Sequence, residues 1–68
     1  MSVEWISNKF FKEVKQKKED ITDTMLAGVK DFDQYQYLRG RYSSLVDAEN
    51  TYRELLGKIM QNEESNSS

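Results

Sequence analysis

Sixty-eight residues with a net charge of −2 and 37% hydrophobic content can build one small domain. A core of that size rarely supplies more than ~3–5 kcal/mol of net stability unless something staples it. The chain has no Cys and no His, which excludes disulfides and thiolate metal sites and removes the commonest zinc ligand and general base.

Oligomerisation or docking on a partner is the staple that remains. The absence of Pro and the abundance of Lys, Glu, Gln, Leu and Tyr suit helices. No stretch is long and apolar enough to span a bilayer, and the N-terminus lacks a basic-then-apolar signal pattern. The chain is therefore expected to stay in the compartment where it is made.

The first predicted element is a helix from about residue 3 to 27. Ser2 can act as its N-cap, and Glu4 sits in the first turn, where negative charge is favoured. Val3, Ile6, Phe10, Val14, Ile21 and Met25 recur at helical spacing and define an apolar stripe. Lys17 interrupts that stripe. Gly28 then offers a C′ stop, because Gly takes positive φ without steric cost.

A short turn over 28–32 makes the flanking helices antiparallel neighbours. Asp33 with Gln36 has the chemistry of a capping box, with Phe32 and Tyr37 placed as a hydrophobic staple. Asp31 with Gln34 is a competing start. The second helix is predicted over 33–60. The polar, low-complexity stretch that follows, 61–68, reads as a flexible tail.

Within the second helix, Tyr35, Leu38, Tyr42, Leu45, Glu49, Tyr52, Leu56 and Ile59 alternate steps of three and four. Their mean step of about 3.5 residues places them on one seam that demands a partner helix. Glu49 is its only charged member. A hairpin turning near residue 31 brings Lys17 within a turn of Glu49, so the two interrupting charges are predicted to meet and fix the register.

A shoulder beside the seam carries Gly40, Ser44, Ala48 and Thr51, with Tyr37 and Leu55 nearby. A Gly inside a helix costs ~1 kcal/mol relative to Ala, which the close approach of another backbone would offset. Alternatively, Gly40 only makes room for a bulky side chain of the first helix. Tyr is favoured at interfaces because its ring packs while its hydroxyl stays wet. Tyr37, the one tyrosine off the seam, fits an external contact.

Trp5 and Phe11 flank the first stripe and form an apolar patch with Ile6 and Phe10. They could anchor another protein, since Trp is a favoured hot spot, or simply cover the open end of the hairpin. A membrane-surface role is weaker, because Glu4 and Glu13 stand among the lysines.

Charge is segmented. Lys9, Lys12, Lys15, Lys17 and Lys18 make the first helix basic, whereas Glu19, Asp20, Asp23, Asp31 and Asp33 make the turn region acidic. Acid at a helix C-terminus is the less favourable arrangement, so packing must override it or a partner must use it. Arg39, Gly40, Arg41 and Tyr42 resemble a fragment of a nucleic-acid recognition helix. The two arginines point to different sides, and the net charge runs against a dedicated binder. No Ser–His–Asp set, P-loop, calcium loop or metal cluster is present, so no catalytic, cofactor-binding or metal-ligating residue is assigned.

The segment from Ile21 to Leu56 resembles short helical-hairpin proteins encoded in tailed-bacteriophage genomes. The matching residues are Gly28, Asp31, Phe32, Tyr35, Gly40, Leu45 and Leu55 or Leu56, over about half of the chain. The resemblance implies a small phage protein associated with the virion or acting in the host cytoplasm. It carries over no known site residue.

The fold expected is all-α: an antiparallel two-helix hairpin completed by self-association into a helical bundle. The function expected is non-enzymatic, a small phage-type structural or accessory protein acting through protein–protein contacts, without cofactor or small-molecule substrate. Its predicted interface is Trp5, Phe11, Tyr37, Gly40, Ser44, Ala48 and Leu55. The alternative is a small regulator or inhibitor docking on a host protein, with nucleic-acid binding a weaker third reading and membrane binding weaker still.

Overall fold

In a computed structural model, residues 3–66 are described, with side-chain surroundings given for 3–61. Two helices, α1 (Val3–Ala27) and α2 (Phe32–Asn66), pack against each other as an all-helical hairpin. The predicted cap at Ser2 lies outside the described residues.

Gly28 closes α1 at φ 118°, the only positive φ among the described residues. Its N–H donates to the Met25 carbonyl at 3.2 Å. Two threonines near that end are tolerated because each hydroxyl bonds back one turn. Thr22 Oγ1 donates to the Lys18 carbonyl at 3.0 Å and Thr24 Oγ1 to the Asp20 carbonyl at 2.9 Å. No basic residue occupies the last turn of α1, so packing rather than charge placement holds this end.

Helix α2 begins from the earlier of the two competing starts. Asp31 is the cap: its Oδ1 accepts from the Gln34 N–H at 2.8 Å, and Gln34 Oε1 reaches back to accept from the Lys30 N–H at 2.6 Å. This satisfies two orphan backbone donors. The start predicted from Asp33 and Gln36 is therefore corrected by one half-turn. The Phe32–Tyr37 staple gives way to a Phe32–Tyr35 ring contact at 6.3 Å.

At the other end, α2 continues to Asn66, past the predicted stop near Met60. Nothing after Met60 breaks a helix: there is no Gly or Pro, and Gln61, Glu63 and Glu64 are good helix formers.

The hairpin measures 57 × 19 × 13 Å, with a radius of gyration of 16.5 Å. A compact domain of this length would have about 11 Å. The short dimension is one helix thick, so the molecule is a single layer with two broad faces. Among the described residues, the buried apolar ones are only Val14, Ile21 and Leu38.

Candidate interaction surface

The side chains between the helices form a narrow seam. Near the open end, the Phe10 and Tyr52 rings stack at 4.4 Å and 13°. Phe11 meets both edge-on, at 5.4 Å from Phe10 and 5.5 Å from Tyr52. The Arg53 guanidinium lies 4.9 Å from the Phe11 ring centroid, a favourable cation–π placement. The Tyr52 hydroxyl is within hydrogen-bond distance of Ser7 Oγ at 3.1 Å. Ring stacking and a satisfied hydroxyl together explain why Tyr rather than Phe suits position 52.

Midway along the seam lies its one charged layer. Glu49 is only 7% exposed, and Lys18 Nζ donates to its Oε1 at 2.8 Å. The Lys18 ammonium also stands 5.9 Å from the Tyr42 ring centroid. Glu49 thus meets a lysine in the seam, but Lys18 rather than the predicted Lys17. The reason is helical phase. Counting from Phe11, the inward positions are Val14, Lys18, Ile21 and Met25, alternating steps of three and four. The predicted stripe holds at Phe10, Val14, Ile21 and Met25, which are buried or half-buried; only the position between Val14 and Ile21 falls to Lys18 instead of Lys17. Lys17 is exposed.

The residues predicted as an interface divide into three groups. Phe11 is half-buried in the aromatic layer and supports the hairpin itself. Trp5 is 57% exposed. Tyr37, Gly40, Ser44, Ala48 and Leu55 are all exposed on α2, with Tyr37 at 64% and Leu55 at 53%. A Cβ added at Gly40 would meet nothing within 4 Å. Gly40 therefore does not make room for an α1 side chain, and its shoulder faces outward.

At the open end, Val3, Ile6, Tyr52, Leu55, Leu56 and Ile59 line a shallow apolar groove of about 240 Å³. Nearer the turn, a separate and more polar groove is lined by Lys17, Asp20, Thr24 and Arg41 along with Ile21 and Leu38. A second groove is lined by residues that include Met25, Tyr35, Arg39, Tyr42 and Val46.

No family model, curated relative or solved structure matches this chain.

Function must therefore be argued from the surface itself. Among the described residues, no three carboxylates gather as a metal-binding set, and no helix is long and apolar enough to cross a membrane. The dominant chemical feature is apolar area left uncovered. Among the described residues, twelve large hydrophobic ones are exposed, against three buried. Singly exposed apolar residues are ordinary on a protein surface, but a contiguous run marks a contact site. Here Val3, Ile6, Leu55 and Ile59 are contiguous around one groove.

Lys18, Ser7 and Arg53 were missed as structural residues, while Asp31 was weighed only as the competing cap. The alternating three-four rhythm from Phe11 to Met25 carried the signal for Lys18. The Asp31–Gln34 spacing carried the signal for the cap. No pattern in the sequence pointed to Ser7 or Arg53, whose partners are more than forty residues away along the chain.

Proposed function

We propose that this chain is a non-enzymatic interaction module: a helical hairpin that completes its core by binding protein, first of all another copy of itself. The observation that carries this reading is the imbalance, among the described residues, between three buried and twelve exposed large hydrophobic residues in a single-layer molecule. Such a layer cannot shield its apolar side chains on both faces, and a partner that covers one face supplies the missing burial at ~25 cal/mol per Å² of apolar area.

A place as a small phage-type structural or accessory component, within the virion or the host cytoplasm, rests on the resemblance of Ile21–Leu56. The exposure of Trp5 supports a second reading, in which the hairpin docks on a different protein through that side chain. The test of self-association is thermal unfolding followed by circular dichroism over a hundredfold range of concentration. An associating chain melts higher as concentration rises. A melting temperature independent of concentration would refute the reading.

A further inference from the structure

The exposed face of α2 has an internal symmetry about Val46. Ser44 and Ala48 lie two residues to either side of it, and Tyr37 and Leu55 nine residues to either side. All four are exposed and, at 100° per residue, fall within one narrow sector of the helix. Small residues occupy the middle of this stripe and large ones its ends. An antiparallel copy of the same stripe is its natural complement.

We propose that a second copy of this chain lies antiparallel on this face, α2 against α2, with the two-fold axis at the level of Val46. The proposal rests on the self-association reading and gives it a geometry. Ser44 of each copy faces Ala48 of the other, where small side chains let the backbones approach. Tyr37 of each copy meets Leu55 of the other, and its ring enters the apolar groove walled by Val3, Ile6 and Ile59. Each ring thus covers the apolar end that the single hairpin leaves open.

Charge agrees with that register. Asp33 and Lys58 lie thirteen and twelve residues to either side of Val46 on the same shoulder, so each Asp33 stands beside the second copy's Lys58. A parallel copy would instead put Asp33 on Asp33 and Lys58 on Lys58. Size agrees too. A copy centred at Val46 overlaps α2 from residue 32 to about 60, ~42 Å, and across a 19 Å width that offers on the order of 800 Å², about what each partner buries at an ordinary specific interface.

The natural chain has no Cys, so single cysteines report geometry directly. Asp33→Cys and Lys58→Cys are prepared as separate full-length proteins, then treated with a short bifunctional thiol reagent alone and after mixing. The mixture should yield covalent dimers approaching half of the chains, the statistical share of mixed pairs. Neither protein alone should cross-link, because like positions stand ~38 Å apart across the axis.

Ser44→Arg should weaken association about tenfold or more with helicity retained. Asn50→Arg, exposed on the far side of α2, should leave it unchanged. Dimers that cross-link within one single-cysteine protein, or that form normally yet never cross-link in the mixture, would overturn this geometry while leaving self-association intact. A chain that stays monomeric would overturn both.

Discussion

Replacing Lys18 with Met should cost much more than replacing Glu49 with Met, although the two residues form one ion pair. Glu49 is 7% exposed as a residue, and the two side chains are 25% and 9% exposed for Lys18 and Glu49. Without Lys18, the Glu49 carboxylate is left in the seam with no opposite charge. Stranding a fully buried charge costs ~3–5 kcal/mol, and the partial exposure of this pair lowers that to about 2–3 kcal/mol. For a domain this small, such a loss depresses the melting temperature by about 10–20 °C.

Without Glu49, by contrast, the longer and wetter Lys18 swings its ammonium to solvent, at a cost of about 1 kcal/mol or less. With both replaced, the seam becomes continuous and apolar, and the double variant should be at least as stable as the parent. The coupling energy is then about 2–4 kcal/mol. Urea unfolding of the four proteins at one fixed concentration measures it. Lys17→Met serves as the control and should change stability by less than ~1 kcal/mol. Additivity of the two single changes within ~0.3 kcal/mol would refute the reasoning, because it would mean that the 2.8 Å contact carries no net energy.

Other perturbations separate the hairpin from its assembly. Gly40→Ala should raise stability by ~1 kcal/mol through helix propensity, since its Cβ meets nothing within 4 Å. Gly40→Leu should keep the helix yet weaken association, and equal association would show that the shoulder stays in solvent. Tyr52→Phe should cost ~0.5–1.5 kcal/mol by removing the contact to Ser7, read by thermal unfolding at fixed concentration. Gly28→Ala should lower stability by ~1 kcal/mol or more, because φ 118° is a conformation that an L side chain rarely adopts. Unchanged unfolding would mean that the turn rebuilds without strain.

The element plan was legible because its signals are local. Gly28 marks the end of α1, and the three-four rhythm from Tyr35 to Ile59 marks α2 and its seam, of which Leu38, Leu45, Glu49, Tyr52 and Leu56 turn inward while Tyr35, Tyr42 and Ile59 stay exposed. What failed was the choice between near-equivalent neighbours. Val14 and Ile21 are seven residues apart, so either Lys17 (three then four) or Lys18 (four then three) can stand between them on the stripe. Only the opposing helix resolves this, because it supplies Tyr52 to stack on Phe10 and Glu49 to receive Lys18.

The two candidate caps, Asp31 and Asp33, were equally plausible as chemistry. The geometry selected Asp31 when Gln34 reached back to the Lys30 N–H. Phe11 shows the same limit at the surface: an aromatic residue beside the stripe reads as an anchor until Arg53 and Tyr52 are found against it. Tyr37 and Leu55 were legible as outward residues because their spacing sets them off the seam, and both are exposed.

Sedimentation equilibrium at micromolar concentration tests the central claim most directly. A chain that finishes its core on a second copy should distribute as a species of twice the 8.0 kDa chain mass, dissociating to the single chain on dilution. A homogeneous 8.0 kDa species that also unfolds in one cooperative transition would contradict the account. The single-layer hairpin would then be complete by itself, and its exposed apolar face would need another explanation.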